Sequence, residues 1–284
     1  MSVDQVWEHQ LRWSSVAESL QARLQRARIA NLCLIVLGSL TAVVVTTGGL
    51  SAVLARWVGG LSAVALATAA FVQAQFLTNA RVRERLNARA AAESLKSLVY
   101  RYLAGASPFA GEDRDKELAR RARAITDRTD TDELLLAGTG AGGSPLPAIS
   151  SLADYATDRA RGQRDWHVRR AVQHHASGRR WRTVQLAATL AAGVLAAVAG
   201  AVDGLQLSAW VGALATVAAA VAAHVAGEQH ERIAGSYART ARSLDLLLAG
   251  YDPTQQPARR GGFVSKVEGV IARQTEAWVE LLES

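Results

Sequence analysis

The sequence predicts an all-α membrane protein: two transmembrane helical hairpins, four spans in all, whose long helices continue into a cytoplasmic bundle. Three observations predict it. Four uncharged apolar segments are each long enough to cross a bilayer, only a short break separates the members of each pair, and the basic residues fall almost entirely on one side of those breaks.

The segments are Ile29 to Leu50, Trp57 to Leu77, Val184 to Val202 and Leu205 to Gly227. A hydrocarbon core of roughly 30 Å needs about 20 residues at 1.5 Å rise, and each segment meets that length. A turn near Gly48 to Arg56 and another at Asp203 and Gly204 make each pair an antiparallel hairpin. Ala and Gly dominate over Phe and Ile, so small residues recur at four-residue spacing. Gly59, Ala63 and Ala67, and again Gly193, Ala197 and Ala201, follow the pattern that lets helix backbones approach closely. A soluble, alanine-rich bundle is the rival reading. It requires a polar stripe on each surface helix, and these four segments lack one. Roughly 28 polar residues precede the first segment, which argues against a cleaved signal peptide.

The 32 basic residues include only three lysines, Lys96, Lys116 and Lys266. This arginine bias is read as that of a GC-rich bacterial genome. Four basic residues precede the first span, nineteen lie between Arg81 and Arg180, and seven between Arg232 and Arg273. Arg182 opens the third span, and Arg56 alone falls on the short-turn side. The positive-inside rule then places both termini and the central loop in the cytoplasm, at a bacterial inner membrane. A net charge of +7 with a pI near 10.1 is accordingly read as basic flanks meeting anionic lipid, with no nucleic-acid partner. Cys33 is the single cysteine, so the chain holds no internal disulfide.

The polar stretches are helical by periodicity. Val3 to Arg28 has no Gly or Pro, and Val6, Leu11, Trp13, Val16, Leu20 and Leu24 recur on one face. Arg81 to Leu103, Arg114 to Thr126, Leu152 to Arg180 and Gln229 to Leu248 read as further helices. After a Gly/Pro break from Gly250 to Gly262 comes a last amphipathic helix, Val264 to Leu282. The stretch from Gly138 to Pro147 breaks all periodicity. No strand precedes it and no lysine follows, so it is a linker and not a phosphate loop. The organisation is thus a first two-transmembrane module over 1–137, a linker over 138–147 and a second module over 148–284. The architecture repeats with a period of roughly 150 residues.

No enzyme motif is present, and neither a cofactor nor a metal set is expected. His174 and His175 are neighbours whose side chains diverge on a helix, and His230 is read as remote from them. Candidate pore or outer-mouth residues are Arg56 and Asp203 at the turns, Gln73 and Gln75 near the end of the second span, and His224 in the last turn of the fourth. The bland alternatives are ordinary turn residues and an interfacial histidine. Of the polar residues in the spans, Ser and Thr can bond back to their own helix, whereas Asn31, Gln73, Gln75 and Gln185 need partners or water. No charge lies at the bilayer centre, which disfavours a transporter with midplane ion sites. Trp7, Trp13, Tyr155, Trp166, Tyr237 and Trp278 are the aromatic residues expected to pack the cytoplasmic helices.

Tyr155, Arg159, Gln163 and Trp166, spaced along one approach helix, resemble the approach-helix signature of the SLATT family, the SMODS and SLOG-associating two-transmembrane effectors. The closing stretch from Glu268 to Leu282, with a Glu and the late Trp278, resembles that family's C-terminal segment. The stretch from Trp7 to Ser14 is a fainter echo in the first module. The resemblance implies a bacterial conflict-system effector that homo-oligomerises, perturbs or perforates the inner membrane, and acts downstream of a nucleotide-generating or nucleotide-sensing partner protein. The lipid bilayer is the other expected partner. A structural or sensory scaffold, whose cytoplasmic helices dock a soluble protein, is the alternative that the residues leave open.

Overall fold

The computed structural model describes residues 1–127, 144–202, 207–252 and 257–283, with the backbone alone over 257–260 and 275–283. Among these residues every regular element is helical. The first half of the sequence supplies α1 (Val3–Thr47), α2 (Ala52–Phe76), α3 (Asn79–Leu103) and α4 (Arg114–Thr126). The second supplies α5 (Leu152–Asp154), a π-helical turn (Tyr155–Arg161), α6 (Gly162–Ala201), α7 (Ser208–Glu228), α8 (His230–Ala249) and α9 (Pro257–Glu283).

Local chemistry sets the ends of these helices. Ser2 and Gln5 form a reciprocal cap at the start of α1: the Gln5 N–H donates to Ser2 Oγ at 3.3 Å, and the Ser2 N–H to Gln5 Oε1 at 2.8 Å. Ser151 and Asp154 repeat the device ahead of the π turn, at 3.1 and 2.9 Å. Gly105, with φ of +59°, ends α3. Its N–H donates to the Tyr102 carbonyl and that of Ala106 to the Arg101 carbonyl, the paired bonds of a Schellman stop, which needs the left-handed residue that glycine supplies.

Three expectations are corrected. The first turn is shorter than read, because Ser51 Oγ accepts the Leu54 N–H and α2 begins at Ala52; Arg56 therefore lies inside the helix. The last helix starts seven residues before Val264, at Pro257, whose fixed φ suits a first helical position. The helix expected over Gln229 to Leu248 does not continue smoothly from the fourth apolar segment. Gln229 adopts a left-handed φ of +46° and divides α7 from α8.

Two compact units result, and each draws on both halves of the sequence. One comprises Met1–Ala22, Asn79–Val172 and Ala234–Ser284; the other comprises Arg23–Thr78 and Gln173–Ile233. The first unit holds a continuous apolar core. Val6, Trp13, Val16 and Leu20 of α1 meet Leu95 and Val99 of α3, Leu118 of α4, Tyr155 of the π turn, Leu244 of α8, and Val264, Val267 and Ile271 of α9. This is the amphipathic periodicity of the polar stretches realised as one core.

The second unit carries the apolar segments and packs differently. Among the described residues four helices are long and apolar enough to cross a membrane, by length and composition, and at most 17% of any apolar window is buried. Leu190 and Val194 of α6, for example, are 67% and 64% exposed. Between α1 and α2, Gly38 is the close approach: a Cβ there would stand 2.7 Å from Leu66 Cγ. Ser62 Oγ donates to the Gly38 carbonyl at 2.7 Å, and Asn31 Nδ2 to Gln73 Oε1 at 3.2 Å. The expected small-residue stripes are not the packing surface here. Gly59 and Gly193 have open space around them, whereas Ser62, Ala65 and Ala69 are the buried residues of α2. Thr41, Thr46, Thr68 and Thr216 each donate to a carbonyl of their own helix, as expected of hydroxyls in apolar surroundings.

Candidate functional site

The most heavily buried polar cluster lies in the first unit, and the π turn builds it. A π turn is wider than an α turn and recurs at functional positions. Here it carries Tyr155 and Arg159, both essentially inaccessible. They converge on Glu268 of α9, which is fully buried. Arg159 donates from Nε to Oε1 at 2.9 Å and from Nη2 to Oε2 at 3.0 Å, a bidentate side-on pair. Tyr155 donates its hydroxyl to Oε1 at 2.8 Å, and the Ser97 hydroxyl of α3 adds a further bond. The arginine also lies over the Tyr100 ring of α3, 4.5 Å from its centroid.

The electrostatics follow from this geometry. Burial by itself would raise the Glu268 carboxyl pKa, but the Arg159 charge and the donated bonds override it and hold the group below the usual range. Burial opposes the Arg159 charge too, yet Glu268 outweighs it and keeps the guanidinium firmly protonated. Tyr155 is pushed well above the usual phenol range by burial, so it serves as a neutral donor. Lys96, on the same helix as Ser97 and Tyr100, is lowered first by burial and then by the Arg159 charge. The carboxylate is thus ion-paired, hydrogen-bonded on both oxygens and closed to solvent. The cluster is a lock that joins the π turn, α3 and α9.

Beside it lies a small hollow of about 20 Å³, room for little more than a water molecule, lined by residues of α3, α6, α8 and α9, among them Arg89, Glu93, Trp166, His167, Tyr237 and Gln274. Trp166 lies edge-on to Tyr237, with centroids 5.3 Å apart, and the Arg89 and Arg170 guanidiniums sit over its ring. His167 Nδ1 is 2.7 Å from the Gln163 carbonyl and Nε2 is 2.5 Å from the Gln274 amide. Burial lowers the His167 pKa, so the ring is neutral. Nε2 faces Gln274 Oε1, an acceptor like the Gln163 carbonyl, so a singly protonated ring donates to one of the two oxygens at a time.

The remaining expected residues are placed as follows. Trp7 is buried and its Nε1 donates to the Ser144 carbonyl at 2.8 Å; Trp13 is fully buried. Arg56 and Gln75 are exposed, and Gln73 meets Asn31. His224 is half-buried and tilted against Trp181, centroids 4.3 Å apart. Asp203 and the Trp278 side chain, like 138–143 of the expected linker, lie outside the described residues.

Tyr155, Trp166 and Tyr237 are expected from the sequence, whereas Tyr100, His167 and Gln274 carry no signal there. Nothing in the sequence assigns Glu268 to Arg159, and the four-residue spacing of Tyr155 and Arg159 is the one available signal that they share a face. His230, read as remote, in fact stands against His174, with Nδ1 atoms 3.1 Å apart. In the same unit Arg28 pairs with Glu228 at 2.7 Å, and Arg182 pairs with Glu231.

Comparison with known families places these features. Residues 155–278 match the family described as SMODS and SLOG-associating 2TM effector domain 1. Residues 10–117 match a second family, described as protein of unknown function DUF4231. No curated protein and no solved structure matches the chain. The first family match begins at Tyr155 and runs through Glu268, so it encloses the whole buried Tyr–Arg–Glu lock. Two family matches thus stand in tandem: residues 10–117 are similar to DUF4231, and residues 155–278 to the SMODS and SLOG-associating two-transmembrane effector domain.

Proposed function

We propose that this chain is a non-enzymatic integral membrane effector of a bacterial nucleotide-dependent conflict system, and that it acts as a homo-oligomeric pore or membrane-perturbing protein. One observation carries the reading: a well-formed apolar core is buried in one unit, while few of the residues in the long apolar helices of the other are buried. Exposing such continuous apolar surface to water is strongly unfavourable, whereas in lipid the same surface is satisfied. The family match to a two-transmembrane effector domain supports the same conclusion.

In this reading the four apolar helices form two transmembrane hairpins in the inner membrane, with both termini in the cytoplasm. Four thin helices enclose no conduit, so a pore requires several copies around a symmetry axis. The cytoplasmic core, with its Arg159–Glu268 lock, is the part through which a nucleotide-generating or nucleotide-sensing partner protein would gate it. Purified full-length chain reconstituted in liposomes is expected to release a trapped dye or conduct ions. Vesicles that stay tight, together with a soluble protein that co-purifies, would instead favour a membrane scaffold.

A further inference from the structure

The polar end of the second unit contains a histidine arrangement that the effector reading does not use. His174 of α6 and His230, the first residue of α8, face one another Nδ1 to Nδ1 at 3.1 Å, both half-buried. The approach is built into the helix. One turn along α6 from His174 is Gly178, where an added Cβ would stand only 3.2 Å from the His230 Cβ. A further turn along, Arg182 pairs with Glu231. Residues at three successive turns of α6 thus hold the start of α8 against it, just beyond the left-handed break at Gln229.

Two imidazole nitrogens that face each other are either donor and acceptor or joint ligands of a cation. Two Zn–N bonds of about 2.0–2.1 Å at a tetrahedral angle separate their nitrogens by roughly 3.4 Å, so the pair needs to open by only a few tenths of an ångström. We propose that His174 and His230 form a two-imidazole clip for a divalent transition-metal ion of the zinc class, bridging α6 and α8 across the Gln229 break. Imidazole is a ligand suited to zinc, cobalt, nickel and copper. Binding needs both Nδ1 lone pairs, so in the metal-bound state each ring carries its single proton on Nε2. Glu228 and Glu231 are held by Arg28 and Arg182. Among the described residues no third His, Cys, Asp or Glu completes a set, so water fills the remaining positions and the ion exchanges readily.

His175 provides a control, because it is adjacent, exposed and outside the pair. The test titrates Co2+, and Zn2+ in competition, into metal-stripped full-length protein in detergent, following the cobalt absorption bands. Wild type and His175→Asn are expected to bind one ion per chain with equal affinity. His174→Asn and His230→Asn are each expected to lose at least about tenfold, with helical content and elution volume unchanged. A wild type with no saturable binding overturns the proposal. So does unchanged binding in both pair variants, which would mark an adventitious ion only. If a pair variant misfolds, the wild type alone supplies the test: EDTA-reversible protection of His230 from imidazole modification is expected, and absence of protection overturns the proposal.

Discussion

Arg159 and Glu268 are 109 residues apart in sequence, yet they meet as a bidentate pair in which neither side chain is more than 1% exposed. Two charges withdrawn from water this completely depend on each other, because either one alone would be an uncompensated buried ion. Removal of one partner by Glu268→Gln or Arg159→Met is expected to cost about 3–5 kcal/mol in denaturant unfolding of the micelle-held protein. The double variant Arg159→Met with Glu268→Leu is expected to cost much less than the two singles added together, since no orphan charge remains. Singles that lose under about 1 kcal/mol would contradict the pair's burial.

The lock and its neighbouring histidine also set the acid limit of the first unit. The ordinary value for histidine is 6.5, and burial lowers that of His167 in the fold. The unfolded chain therefore binds a proton more readily, and this stability is complete above pH 6.5 and is lost as pH falls toward the folded value. Glu268 is held below its ordinary 4.5, so its contribution is lost only at more acid pH. His9 is lowered as well, first by burial and then by Arg12, and acts in the same window as His167. Unfolding followed against pH is expected to show a first loss below pH 6.5 that weakens in His167→Gln and a second, at lower pH, that weakens in the Arg159–Glu268 double variant. An unchanged profile in His167→Gln would show that this ring does not titrate on unfolding.

Gly38 has no room for a side chain beside Leu66 and Ser62. Gly38→Val is expected to separate α1 from α2 and lower stability by roughly 1–3 kcal/mol, as overpacking does. Adding Leu66→Ala should recover part of that loss. Gly59→Val, at a glycine with open space around it, is expected to leave the monomer's stability unchanged. Thermal melts in detergent distinguish the two positions.

Gln229 occupies the left-handed region that a glycine would enter without strain. Gln229→Gly is expected to stabilise the break by about 0.5–1 kcal/mol, and Gln229→Val to destabilise it by more than that. Equal effects of the two substitutions would mean that α7 and α8 do not break at this residue.

The apolar spans are legible in the sequence because absence of charge over so many residues has few structural meanings, and α4 is legible to the residue because Gly and Pro punctuate the chain before Arg114. The break at Gln229 is not legible at the residue, since the nearest glycine, Gly227, lies two positions earlier and the left-handed residue itself is a glutamine. The Gly38–Ser62 contact hides behind the stronger four-residue spacing of Gly59 and Gly193. Tyr155, Arg159 and Glu268 stand out one by one, but their convergence depends on a π turn, which leaves no compositional trace. The pairing of His174 with His230 is hidden for a similar reason: only tertiary structure brings them into register.

The central claim is that lipid covers the four apolar helices, with the polar helices on the cytoplasmic side. In a Cys33→Ser background, single cysteines at Ala52, the exposed first residue of α2, and at Ser94, exposed on α3, report the two sides. The protein is expected to remain in the carbonate-washed membrane fraction of a bacterial host. A membrane-impermeant maleimide added to intact spheroplasts should label Ala52→Cys readily and Ser94→Cys only after lysis. Recovery of the protein in the aqueous fraction, or labelling of Ser94→Cys in intact spheroplasts, would contradict the account.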